Sequence, residues 1–196
     1  TLRDAGTPND SLGTFVDNAS LRCSVPEQSP SEATIVATKV VCDNEADLPN
    51  WGAGGHGPII ATTAADWVNS HPDCHLANDW QFQWGDQNAG DGGDTTVGPV
   101  SGYTTFGPTD TNGVATTTVS LDNISEIHLR EVLKDGYIPF TYDSASTTPN
   151  GNNVSAEFYC SNDVLNYDNW DFIRSPQADT TYYCVGFNAP VPPQTS

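Results

Sequence analysis

The sequence predicts an all-β protein: an antiparallel β-sandwich with one short helix and an N-terminal arm that bears a strand. Three observations lead there. Apolar residues recur at every second position in several runs of the 196-residue chain, the period of a half-buried strand. The stretches between these runs are rich in Gly, Pro, Asn, Thr and Ser, and only 16% of residues are charged, a composition suited to a loop-rich β protein. The length allows one domain with a full core plus an appendage. The expected division is an extension over 1–32, a sandwich over 33–190 with a long 43–100 insertion, and a Pro-rich tail over 191–196.

In the extension, Leu12, Thr14 and Val16 hint at a short strand. Ala19, Leu21, Cys23 and Val25 then alternate with Ser20, Arg22 and Ser24, a strand that wants one buried face. The polar tether Pro26 to Glu32 follows and cannot continue a sheet. Two destinations stay open. The arm folds back as an edge strand of its own sandwich, or it completes the sheet of an identical neighbouring subunit. A head-to-tail contact of the second kind does not close and grows a filament.

Thr34 to Cys42 is the first core strand, with Ile35, Ala37, Lys39 and Val41 on one face. Lys39, one of two lysines, sits inside this apolar run. Thr62 and Thr63 are placed to cap a short helix through Ser70, with Asp66 in its first turn and His71-Pro72 at its end. Asp79 to Trp84 reads as a strand whose Trp80, Phe82 and Trp84 share a face, core rather than ligand-binding. The acidic, Gly-rich run from Gly85 to Asp94 offers Asp86, Asn88, Asp91 and Asp94 as oxygen ligands for Ca²⁺. It lacks the distant Glu of an EF-hand, and a solvated loop is the alternative. Asp163, Asp168 and Asp171 carry the same ambiguity. Tyr103 to Phe106 leads into the central stretch, and Val154 to Cys160 and Thr180 to Asn188 are the closing strands.

The central stretch runs from Thr109 to Thr141. Asp110 to Gly113 forms a turn, because Asn112 and Gly113 tolerate positive φ. Ala115, Thr117, Val119 and Leu121 then alternate along one strand, and Ile127, Leu129, Glu131 and Leu133 share a face of the next. The two are expected to form a hairpin. His128, Arg130 and Val132 take the opposite face. Glu131 therefore lies among aliphatic residues, and a buried acid must be neutral or bonded to something specific.

This stretch resembles the Cna-B/SpaA-like (prealbumin-like) β-sandwich domains of bacterial surface proteins and pilins. The resemblance rests on Thr109-Asp110 and Gly113, Leu129-Arg130-Glu131, and Gly136-Tyr137, within about a sixth of the chain. It implies an immunoglobulin/prealbumin-like sandwich and an autocatalytic isopeptide bond. The matching residues are Lys39 in the first strand, Asn188 near the last, and Glu131 as the assisting acid. Burial would leave the lysine neutral and able to attack the Asn188 carboxamide, while Glu131 polarises the carbonyl and moves protons. The alternative is that Lys39 and Glu131 form a buried ion pair, or face water.

Five cysteines in an acidic, Lys-poor chain suggest an oxidising compartment. The expected pairs are Cys42–Cys74 and Cys160–Cys184, although the sequence permits others. Zinc held by Cys74 with His71 and His75 is the rival reading, without a CxxC pair to support it. Cys23 is left over, as a buried thiol or a contact with another chain. Asn9, Asn18, Asn123 and Asn153 begin N-x-S sequons and are candidate glycosylation sites. A chain that starts at Thr1 and lacks Met altogether reads as having a processed N-terminus.

A net charge of −19 argues against nucleic acid and anionic membranes as partners. No apolar run reaches the length of a membrane span. No nucleophile elbow, zincin, P-loop or dinucleotide motif is present, so the chain is read as non-enzymatic and without a required cofactor, calcium being the one candidate. The expectation is an extracellular or cell-surface structural subunit of a pilus-like or fibrillar appendage. It would polymerise with identical subunits through its N-terminal strand. The runner-up is an adhesin or carbohydrate-binding module with glycans as partners.

Overall fold

The computed structural model describes residues 31–49, 51, 57–86, 96–138, 156–161 and 169–192. Two sheets face each other as an all-β sandwich with one short helix. The arm residues Ala19, Leu21, Cys23 and Val25 lie outside the described residues, as do Asn9, Asn18, Asn153, Asn88, Asp91, Asp94, Asp163 and Asp168.

The first sheet is built on β1 (Glu32–Cys42). Its parallel neighbour is β9 (Thr181–Asn188), which pairs in turn with the short antiparallel β7 (Phe158–Cys160). Along the other edge of β1, β5 (Val114–Ser120) pairs with Glu32 to Thr38, and β2 (Cys74–Leu76) with Val40 to Cys42. The second sheet has the order β4 (Thr104–Phe106), β3 (Phe82–Gly85), β6 (Glu126–Glu131), β8 (Trp170–Arg174), all antiparallel. Ile35, Ala37, Phe82, Val119, Ile127, Leu129, Phe158 and Ile173 fill the space between the sheets. This is what the alternating patterns require, since each strand has one apolar face.

Three elements differ from expectation. The strands flanking Leu121 to Ser125 do not form a hairpin: β5 belongs to the first sheet and β6 to the second. Leu121 and Ile124 pack against the core, and the Leu121 amide bonds Ser31 O at 2.7 Å. The connection thus crosses the end of the sandwich, and the two apolar faces meet across the core instead of lying side by side. The 43–100 stretch is not external to the sandwich, because β3 lies inside the second sheet between β4 and β6. Within Asp163 to Asp171, the last acid belongs to a strand, β8. Asp171 is fully buried and accepts the Cys160 amide at 2.6 Å, which ties β8 to β7 across the two sheets.

The helix α1 (Thr63–Ser70) covers the outer face of the first sheet. Thr62 makes no side-chain cap; the Thr63 hydroxyl accepts the Ile60 amide at 3.0 Å. Beneath α1 lies a second core of Val40, Cys42, Cys74, Tyr159, Val185 and Phe187, with Trp51 and Trp67 packed against it. Disulfides join Cys42 to Cys74 and Cys160 to Cys184, the pairs expected from sequence. Cys74 is therefore unavailable for zinc. Among the described residues no three His, Cys, Asp or Glu side chains converge on one point.

Candidate functional site

One end of the inter-sheet core is polar. Strand parity sends Lys39 inward from β1, Asn188 inward from β9 and Glu131 inward from β6, and all three are fully buried. The Lys39 ammonium nitrogen Nζ bonds both Glu131 Oε2 and Asn188 Oδ1. The first pairing spans 92 residues of sequence and the second 149, so the fold alone creates the cluster. The Asn188 carboxamide is held from its other side as well, with Nδ2 donating to Ile138 O at 3.2 Å. Among the described residues Glu131 Oε1 has no hydrogen-bond partner.

Burial pushes the Lys39 amine down from 10.5 to about 8, with Glu131 pulling it back up and Lys134 lowering it further. A lysine in this state is partly a free-base amine near neutral pH, which is what nucleophilic attack on a carbonyl carbon needs. The Trp80 ring supplies the wall of the site. Lys39 Nζ lies 4.2 Å from its centroid and Lys134 Nζ 4.7 Å, both within cation–π range. Tyr137 packs edge-on to the same ring at 4.9 Å.

The residues of the T-D-x-x-G turn have defined tasks around this site. The Thr109 hydroxyl accepts the Trp80 amide at 3.0 Å and donates to Ala77 O at 2.8 Å, fixing Trp80. Asp110 accepts the amides of Asn112 and Val114 through Oδ1 at 2.9 and 3.0 Å. These bonds hold its carboxyl below the usual range. Gly113 stands against β1 where β5 gives way to β2. Its carbonyl accepts the Lys39 amide at 2.8 Å, and a Cβ there would lie 2.9 Å from Lys39 O. Its φ of +73° also favours glycine. The turn thereby sets the backbone of the lysine. Gly136, at φ +84°, starts the segment in which Ile138 N bonds Ala189 O at 2.9 Å, next to Asn188.

Sequence reasoning found Lys39, Glu131 and Asn188, and the structure brings them together. It missed Trp80 as part of the site, since an aromatic in an apolar run reads as core. It also missed Gly186, whose Cβ, if present, would lie 3.0 Å from Glu131 Oε2. A Gly inside a strand is the signal that could have found it. Of the other candidates, Asp86 is exposed at the end of β3, and Asn123 is exposed in the turn before β6 at φ +65°. A separate cleft of about 270 Å³ beside α1 is lined by Trp51, Ile60, Asp66, Trp67, Ser70 and His71. His71 stacks on the Trp67 face at 3.7 Å.

Comparison with protein-family models, with curated proteins and with solved structures gives no match.

Proposed function

We propose that this chain is a self-locking structural module of an extracellular fibre, in which Lys39 and Asn188 join in an intramolecular isopeptide bond. The buried meeting of Lys39, Glu131 and Asn188 carries the reading. The neutral Lys39 amine attacks Asn188 Cγ, forming the Nζ–Cγ bond. Glu131 takes a proton from Nζ and delivers one to the leaving Nδ2. The Cγ–Nδ2 bond breaks and ammonia departs. The step happens once per molecule and needs no cofactor.

The placement of the bond suits a chain under tension. It would join the first strand to the last, which run parallel and side by side. Force entering through the N-terminal arm and leaving through the tail would pass along β1, through the bond, and out of Asn188. The strands between would carry none of it. The disulfides fit an oxidising compartment, and no helix among the described residues is long and apolar enough to cross a membrane.

Polymerisation of identical subunits through the arm belongs to the same reading. It rests on the alternation of Ala19, Leu21, Cys23 and Val25. Among the described residues, β5 and β8 each pair on one side only, so both leave an edge that an added strand can use. A second reading, a carbohydrate-binding module, is favoured by the aromatic cleft between Trp51, Trp67 and Ile60, and a glycan array separates it from the first.

Purified chain should have an intact mass lower than its sequence by one ammonia, about 17 Da, beyond the hydrogens lost in disulfides. The deficit should vanish in Lys39→Ala. Full sequence mass in the wild type sinks the lock. Negative-stain images should show fibres that disappear when residues 1–25 are removed; compact monomers from both sink the arm.

A further inference from the structure

Gly186 sits in the middle of β9, paired with Lys39 on one side and Phe158 on the other. Its φ lies outside the left-handed region, so backbone conformation does not call for glycine. A glycine inside a buried strand weakens it through chain entropy and lost packing. Something else must require the missing side chain, and the surroundings of the absent Cβ identify it. That atom would stand 3.0 Å from Glu131 Oε2, 3.3 Å from Phe158 Cδ2 and 3.4 Å from Lys39 Nζ. The first two distances are tighter than nine in ten real contacts of a Cβ, and the third is at the close limit of ordinary van der Waals contact.

The carboxylate oxygen and the amine are the atoms that must meet. Glu131 reaches in from the second sheet and Lys39 crosses over position 186 on its way to Asn188, which lies two residues further along the same strand and face. The gap left by glycine is the space in which carboxyl and amine come together. Phe158, packed against Phe82 at 5.7 Å between the centroids, would crowd the same Cβ at 3.3 Å. We infer that Gly186 is a positioning residue for the crosslinking step, keeping open the space through which Glu131 reaches the Lys39 amine. This rests on the isopeptide reading above.

The test follows ammonia loss in full-length chain made in a short cell-free pulse, sampled by intact mass over time and pH. In the wild type the rate should rise with pH and level off near the point where Lys39 becomes neutral, about 8. Gly186→Ala should still form both disulfides and fold. Its plateau rate should fall about 10²-fold, the size of effect that a displacement near 1 Å produces. Its half-point should also move to lower pH, because the carboxylate that pulls the Lys39 value up has been pushed away. A purely structural alanine would weaken the fold without moving that half-point.

Equal rates and equal half-points in wild type and Gly186→Ala overturn the inference and leave the lock standing. No ammonia loss in the wild type overturns the lock itself. If Gly186→Ala does not fold, Gly186→Ala with Phe158→Ala clears the second neighbour. A folded double variant slower than Phe158→Ala alone, with a lower half-point, supports the role of Gly186, and one that matches Phe158→Ala in both overturns it.

Discussion

The disulfides and the buried Lys39–Asn188 pair differ in what they connect. The disulfides join β1 to β2 and β7 to β9, with sequence separations of 32 and 24 residues. The Lys39–Asn188 hydrogen bond links β1 to β9 across 149 residues. In the chain-entropy picture, closing loops of the shorter lengths stabilises by about 3.5 kcal/mol each, and a covalent bond closing the long one would add about 5 kcal/mol. The chemistry differs too. A disulfide needs two thiols and an outside oxidant. The proposed lysine–asparagine bond would need only a dry pocket and a proton carrier, and folding brings the buried Glu131 to the amine. So the disulfides pin neighbours within one sheet, whereas the polar site depends on both sheets having closed around it.

The largest expected effect tests this contrast directly. Lys39→Met with Glu131→Leu replaces the buried pair by apolar groups of similar size, a change that is often near neutral when no bond is lost. If the crosslink forms in the wild type, this double variant should lose about 5 kcal/mol. Cys160→Ala with Cys184→Ala should lose less, about 3.5 kcal/mol. Guanidinium midpoints measured on non-reduced samples decide the order. A larger loss on removing the disulfide breaks the comparison.

A smaller effect concerns pH. In Asn188→Ala the bond cannot form, and Lys39 stays an amine whose folded value, about 8, lies below its ordinary 10.5. Between these values the unfolded chain holds the proton and the folded chain does not. Stability should therefore rise with pH from about 8 to 10.5 and be lowest below that window, by about 3 kcal/mol in total. The wild type, with Lys39 held as an amide, should show no rise from this group. Thermal melts at closely spaced pH values compare the two. Parallel curves would mean that Lys39 titrates alike in both and that the wild type is not locked.

Much of this site was legible because strand parity is legible. Once Glu131 shares a face with Ile127 and Leu129, and Lys39 with Ile35 and Ala37, both must point inward, and an acid and an amine inside one core have to meet something. Asn188 follows from Cys184 by the same count. The cysteine pairs were accessible because Cys42, Cys74 and Cys160 stand at strand ends and Cys184 lies inside a strand-like run. What stayed hidden has physical causes. Gly186 has no side chain with which to announce a role. The Ile138 carbonyl is backbone, and no residue type marks it. Trp80 precedes β3, so its apolar neighbours concealed its two cation contacts. The step between sheets at Leu121 to Ser125 was lost because a short polar turn serves a hairpin and a crossing equally well. β8 was lost because Asp171, an acid in an acidic run, is there a buried acceptor of backbone amides.

The smallest predicted effect acts through the turn that lies against the backbone of Lys39. Gly113 lies against the carbonyl of Lys39 and holds its amide, with Leu76 and Ala77 as its next neighbours. Gly113→Ala forces a side chain into positive φ and toward Lys39 O, at a cost of about 1–3 kcal/mol. β1 must then shift where it carries the lysine. Both disulfides should form as in the wild type, seen as unchanged mass of the non-reduced chain after thiol alkylation. Ammonia loss should be delayed, seen in the same spectra over time. A variant that locks on schedule while losing stability would show that the turn supports β1 generally and does not set the lysine. One that loses the disulfides as well would show that the two regions fold as a single unit, and the contrast between them would be one of chemistry alone.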